Sequence, residues 1–267
     1  MSNRKSKKHA KKDAKVILRE IARDTIYKCT QGRFRDAAVQ PSTVFNSEDL
    51  RSIEMLPRYE NDAKVEILNE DTFVVCERLK EETEGKSVCA LNMASSYHPG
   101  GGWEKGSMAQ EEELFRRSNY FKTLRLAFYP LKPTQVVYSP TVSIIKDKEY
   151  DDLRKPITVS MIAAAAPKYP DAQITPDRIV RYARQQDYDV MQRTIDHIFR
   201  VAYLKNHDVL VLGALGCGCY GNPPRDVIDM FNKTLAKYKK CFTRVVFAVF
   251  SKKDENFQLF TEFLQVK

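Results

Sequence analysis

Three consecutive glutamates, Glu111–Glu113, follow a run of three glycines, Gly100–Gly102, after an interval of seven residues and Gln110. Adjacent carboxyl groups are a common source of general acid–base chemistry. Three residues without a Cβ let the backbone take up positive φ and come very close to a ligand. Upstream, Val88–Met93 is an apolar run of strand length that carries the polar Asn92 near its end. A strand, a glycine loop and the first turn of a helix form a ready site for a phosphate-bearing ligand. The carboxylates at its rim imply that something is also done to that ligand.

A second loop, Gly213–Asn222, contains G-x-G-x-x-G at Gly216, Gly218 and Gly221, between an apolar strand and a helix. That is the setting of a dinucleotide fingerprint. It lies close to the C-terminus, however, and no acidic residue follows at the spacing that takes the ribose hydroxyls. A backbone cradle for a diphosphate remains, against the plainer reading of a tight turn that needs glycine. Gly101–Ser107 approaches a P-loop but lacks the lysine that reaches the terminal phosphates, which argues against an ATPase.

Simpler explanations exist for several of these residues. Acidic residues in a first helical turn complement the helix dipole, and successive side chains point about 100° apart, so all three glutamates cannot face one site. Ser107–Gln110 matches a capping box, which competes with ligand contact for Gln110. Cys217 and Cys219 have no nearby third ligand and read as small packing residues rather than metal ligands. His98, beside the first loop, reads as a hydrogen-bonded loop residue.

The elements that position these loops follow from periodicity. The chain has 267 residues, enough for one large domain. Leu18, Ile21, Ala22 and Thr25 mark one face of a helix over about 13–29. Residues 40–62 read as an irregular arm, 72–77 as a short β-rich run and 80–86 as a charged turn. A helix is expected from Gln110 to about Tyr129, strands over Val136–Ile145 and Ile157–Ala166, and a helix from Pro176–Asp177 to about Lys205. Then come the strand Val209–Leu212, a helix from Pro224, the strand Arg244–Phe250 and a last helix over Glu255–Leu264. Strands alternating with helices imply an α/β domain with a mostly parallel sheet.

Composition narrows the class. The net charge is +9, and the first fifteen residues supply +6 of it, with seven Lys or Arg against one Asp. Basicity therefore belongs mainly to residues 1–12, read as a disordered tail that serves as a nuclear address, a loose nucleic-acid contact or a solubilising extension. No apolar run reaches membrane length, and no signal-like segment stands at the start, so no membrane partner is expected. Six scattered cysteines favour free thiols and an intracellular setting, cytoplasmic or nuclear.

Gly-Gly-Gly, seven residues and Gln-Glu-Glu resemble the signature of poly(ADP-ribose) glycohydrolases. Leu91–Pro99, Gly213–Pro224, Ile162–Pro167 and Ala22–Ile26 resemble the microbial-type branch, and the resemblance runs from about residue 15 to the end. It implies a macrodomain-like mixed, largely parallel sheet between helix layers over residues 13–267, with an N-terminal helical extension. It also implies ADP-ribose binding without metal or other cofactor. Glu112 would be the catalytic carboxylate, with Glu111 as its ligand-positioning neighbour. Asn92 and Gly100, Gly101 and Gly102 would hold the ribose at the scissile bond, with Gln110 nearby. Gly216, Cys217, Gly218, Cys219, Tyr220, Gly221 and Asn222 would wrap the diphosphate, Tyr220 lying toward the distal ribose and adenine. Glu113 leaves the register of the pair open by one residue.

The implied activity is cleavage of the ribose–ribose O-glycosidic bond of ADP-ribose polymers, with ADP-ribose as product. Such a reaction passes through an oxocarbenium-like state and needs an acid on the leaving oxygen. A neighbouring carboxylate and shielding by ligand let an acid hold its proton near neutral pH. Two other activities compete: hydrolysis of single ADP-ribose groups or esters on modified proteins, and non-catalytic reading of ADP-ribose. A reader has no use for a paired acid.

Overall fold

The computed structural model describes residues 2–250 and 255–265, with side chains from Asp13 onward. Helix α1 (Ser2–Thr30) leads into β1 (Thr43–Phe45), α2 (Ser47–Arg51), β2 (Lys64–Leu68), α3 (Thr72–Glu82) and β3 (Val88–Met93). After the first glycine loop come α4 (Gln110–Arg116), β4 (Val136–Lys146), β5 (Asp152–Ala164) and the small hairpin β6 (Ala172–Ile174) and β7 (Val180–Tyr182). The chain closes with α5 (Gln185–Leu204), β8 (Val209–Leu212), α6 (Pro224–Lys237), β9 (Arg244–Ala248) and α7 (Glu255–Phe263).

Seven strands form one mixed sheet in the order β1-β4-β5-β3-β8-β9-β2. β3 runs parallel to both β5 and β8, and only the β1 and β4 pairings are antiparallel. β8 shows why the centre of the sheet is covered twice. Its alternate residues Leu210 and Leu212 face the core beneath α5, α6 and α7, while Val209 and Val211 face the core beneath α3 and α4. A continuous apolar run is what a strand buried on both faces requires. The expected α/β architecture, a largely parallel sheet between helix layers, is therefore present. The central strands end beside one another, so the loops after β3 and β8 share one edge of the sheet.

Four local readings are corrected. Residues 72–77 are helical, although Thr, Val, Cys and Phe favour strands. Asp71 caps α3 by accepting from the amides of Phe73 and Val74 at 2.8 and 3.2 Å, and Phe73, Cys76 and Leu79 then fall on one buried stripe. The neighbouring strand is β2, just after the stretch 40–62 read as an irregular arm, which holds β1 and α2. α4 stops at Arg116 rather than Tyr129. Arg117 turns inward, buried, to pair with Asp71 at 2.5 Å, its carbonyl accepts from Ile145 and Lys146, and Asn119 accepts from the amide of Ser143. Only two short 3-10 turns, Tyr120–Lys122 and Leu126–Phe128, follow.

Pro176 and Asp177 open no helix. They occupy the turn of the β6–β7 hairpin, where the Arg178 amide donates to Thr175 O at 2.8 Å, and proline suits the second position of such a turn. α5 begins only at Gln185. The basic stretch expected to be a disordered tail, residues 1–12, lies outside the described side chains, although the helical backbone runs back to Ser2. No described helix is long and apolar enough to cross a membrane.

Candidate active site

β3 delivers Asn92 fully buried at its end, and α4 starts opposite it. Gln110 fastens the two together. Its side-chain oxygen accepts from Met93 N at 2.9 Å, and its amide donates to Leu91 O at 2.6 Å and Thr72 Oγ1 at 3.1 Å. The cap of α4 is Ala109, which has no side chain to give, so the Ser107–Gln110 capping box does not form. Both ends of the Gln110 side chain bond within the protein, which fixes the start of α4 to the end of β3.

The three glutamates have three different surroundings. Glu111 is 3% exposed; Oε1 accepts from Gly100 N at 3.1 Å and Asn92 Nδ2 at 3.2 Å, and Oε2 accepts from Ser95 N at 2.7 Å. Burial pushes its carboxyl up to about 8, against the downward pull of those donors. Glu112 takes one bond, from Gly102 N to Oε1 at 3.0 Å, and its other oxygen has no partner among the described residues. Glu113 turns away: it pairs with Arg116 at 2.7 Å and accepts from the Tyr150 hydroxyl. The register left open in the sequence thus has a geometric answer. Glu111 and Glu112 adjoin the glycine loop, and Glu113 braces the back of the helix.

The first loop is shaped around this pair. Gly101 has φ +54°, and a Cβ there would stand 2.6 Å from Glu112 Oε1 and 3.3 Å from Glu111 Oε2. The loop is held from behind by Arg116, fully buried, which donates to Ser107 O at 2.8 Å and Trp103 O at 3.3 Å. α1 closes over it: Thr25 Oγ1 donates to Arg116 O at 2.5 Å and Arg19 Nε to Lys105 O at 3.2 Å. The N-terminal helical extension is thus part of the site's frame. Arg116 was missed in the sequence, where its spacing of three from Glu113 was the available signal.

The second loop is a backbone nest. Gly216 has φ +73°, and a Cβ there would meet Asn222 Nδ2 at 2.5 Å. Asn222, 1% exposed, donates to Pro167 O and Gly216 O and accepts from Tyr182 Oη at 2.7 Å. Like Gln110, it shapes the site through partners distant in the chain. The amides of Gly218, Cys219 and Tyr220 make no hydrogen bond among the described residues. Successive backbone amides left without a protein partner are a usual device for holding a phosphate group. Gly218 has open space where a Cβ would stand and Cys219 is exposed, while Cys217 is partly packed against the core, its thiol pushed up by burial. Gly221, at φ +68°, ends the nest by donating to Gly218 O.

Tyr220 joins the two loops, its hydroxyl accepting from Ser96 N at 3.3 Å. Its ring is half-buried against the core, so only part of one face is available for stacking. His98 is exposed and forms no side-chain hydrogen bond among the described residues. No group of three or more His, Cys, Asp or Glu side chains stands together as metal ligands among the described residues.

Known proteins share this arrangement. Residues 18–147 match the family model of the microbial-type poly(ADP-ribose) glycohydrolase (PARG) catalytic domain. The crystal structure of poly(ADP-ribose) glycohydrolase from Thermomonospora curvata is 27% identical, with a TM-score of 0.79 over 92% of this chain and 98% of that one. The same enzyme bound to the inhibitor ADP-HPD is similar at 26% identity and TM-score 0.75, over 92% of this chain and 98% of that one. The Deinococcus radiodurans enzyme in complex with ADP-ribose is 28% identical, with a TM-score of 0.72 over 84% of this chain and 94% of that one. A search of curated protein sequences finds no significant match. The matched segment contains the first glycine loop and the carboxylate pair, and the structural likeness spans 92% of the chain, so in fold and in this segment the chain is similar to microbial-type poly(ADP-ribose) glycohydrolases.

Proposed function

We propose that the protein is a poly(ADP-ribose) glycohydrolase that binds the terminal ADP-ribose of a polymer between its two glycine loops and hydrolyses the ribose–ribose bond. The observation that carries this reading is a carboxylate with one anchored and one unpartnered oxygen, Glu112, beside a glycine loop that Tyr220 of the second glycine loop joins through Ser96 N. The nest takes the diphosphate, and Tyr220 covers the distal ribose. Asn92 and the loop Gly100–Gly102 set the terminal ribose beside Glu112. Glu111, held by three N–H donors, cannot swing and fixes the loop on which the ribose rests.

Protonated Glu112 gives its proton to the departing ribose oxygen as the glycosidic bond breaks. The shortened polymer leaves with a free hydroxyl. The resulting carboxylate then takes a proton from the water that attacks the anomeric carbon, which restores the acid and yields ADP-ribose. Hydrogen bonding, electrostatics and the two carboxyls supply this chemistry. Free thiols accord with work in a reducing intracellular compartment.

Hydrolysis of single ADP-ribose groups on proteins is the second reading, since the same pair would serve it. Pure protein should be incubated with labelled polymer and, separately, with singly modified protein. Release of ADP-ribose from polymer alone supports the glycohydrolase. Release from the singly modified protein alone overturns it in favour of the second reading, and binding without release overturns it in favour of a reader.

A further inference from the structure

A cavity of about 320 Å³ opens on the outer side of the first glycine loop, within the size range of small-molecule sites, about 300–1,000 Å³. Its lining includes Pro99, Trp103, Glu104, Phe121, Arg125 and Leu126. Pro99 directly precedes the triple glycine and Trp103 directly follows it. The loop is a thin partition here. The Gly100 N–H donates to Glu111 on one side, and the position of its missing Cβ is 2.7 Å from Trp103 and 2.5 Å from Phe115 on the other. Trp103 and Phe121 stack at 5.7 Å with 24° between their planes, which gives the cavity a flat aromatic back.

The rim is polar and unspent. Arg125 and Glu104 are exposed, and neither side chain forms a hydrogen bond or ion pair among the described residues. Leu126, 64% exposed, stands beside Arg125 as an apolar edge with nothing packed over it. A flat apolar slot with a cation at one lip and a carboxylate at the other fits a purine nucleotide: the base in the slot, its exocyclic amine on Glu104, and a phosphate on Arg125.

From this geometry we infer that the cavity is a subsite for the ADP-ribose unit on the leaving side of the scissile bond, and that it makes a polymer a better ligand than a single ADP-ribose. The inference rests on the glycohydrolase reading: the loop whose Gly102 amide holds Glu112 is the loop whose flanking residues Pro99 and Trp103 line the cavity. The residues concerned lie outside the cradle for the terminal unit, so the two units are held by separate groups.

The test uses the Glu112→Gln protein, which keeps ligands intact, and calorimetry with ADP-ribose and with a two-unit ADP-ribose oligomer. The oligomer is expected to bind about tenfold more tightly than ADP-ribose. Adding Arg125→Glu should abolish that advantage and leave ADP-ribose affinity unchanged; Leu126→Ala, an exposed change that spares the core, should reduce it. Equal binding of the two ligands before any rim change, or parallel weakening of both by Arg125→Glu, overturns the subsite. Failure of the wild-type protein to cleave polymer while the oligomer advantage is present overturns the glycohydrolase reading instead.

Discussion

Gly101→Ala isolates the geometric argument for the carboxylate pair. At φ +54° an alanine costs roughly 1–2 kcal/mol in backbone strain. Its Cβ would also stand 2.6 Å from Glu112 Oε1, so the carboxylate must leave the Gly102 amide or the loop must shift. A hydrogen bond to a charged group contributes about 1.5–3 kcal/mol. A misplacement of about 1 Å in a reacting group can cost on the order of 10²-fold in rate. The expected result is a polymer-cleavage kcat lowered on the order of 10²-fold, with a melting temperature reduced by only a few degrees and ADP-ribose still bound. Gly85→Ala is the control, since Gly85 also has a positive φ (+75°), has open space where its Cβ would stand and lies outside both loops; it should carry the backbone strain and keep its rate. Full activity in Gly101→Ala would refute the claim that this glycine is needed to seat Glu112. Equal loss in Gly85→Ala would show that the effect is not specific to the carboxylate.

Two further outcomes follow from other parts of the structure. His207 is buried between Ser87 Oγ at 2.6 Å and Tyr138 Oη at 3.0 Å, and burial pushes it down to about 4. Between pH 4 and 6.5 the unfolded chain therefore binds the proton that the folded chain refuses, so stability should rise with pH across that window, by roughly 3 kcal/mol. Glu111, raised to about 8, works in the opposite sense from about pH 4.5 upward, so the readout is the difference between wild type and His207→Gln; an unchanged slope would contradict it. Tyr220→Ala should weaken ADP-ribose binding about tenfold, given stacking worth roughly 1–3 kcal/mol, and Tyr220→Phe should bind more like wild type; calorimetry decides, and normal binding by the alanine variant would remove Tyr220 from the ligand.

That Gly100–Gly102 and Glu111–Glu112 adjoin was legible in the sequence, because they are local in the chain; the roles expected of them came from the resemblance. Locality does not tell the partners of Gln110 and Asn222, whose side chains bond Met93, Leu91 and Thr72 in one case and Pro167, Gly216 and Tyr182 in the other. Those partners are distant in sequence and leave no mark at the residue itself. Residues 72–77 show propensity yielding to an Asp71 cap and a buried stripe. The shortened α4 depends on Arg117 finding Asp71 across the fold. β8, apolar throughout and buried on both faces, was readable because its pattern is its own.

The most direct measurement compares polymer hydrolysis by Glu112→Gln and Glu113→Gln, with ADP-ribose affinity taken on the same samples. Gln keeps the size of Glu112 and cannot give or take the proton, so kcat should fall by about 10²–10⁴ while ADP-ribose still binds. Glu113→Gln should cleave near the wild-type rate, because that carboxylate is occupied by Arg116 and Tyr150 behind the helix. A dead Glu113→Gln enzyme beside an active Glu112→Gln enzyme would contradict the assignment of the acid, and full activity in both would contradict the glutamate mechanism itself.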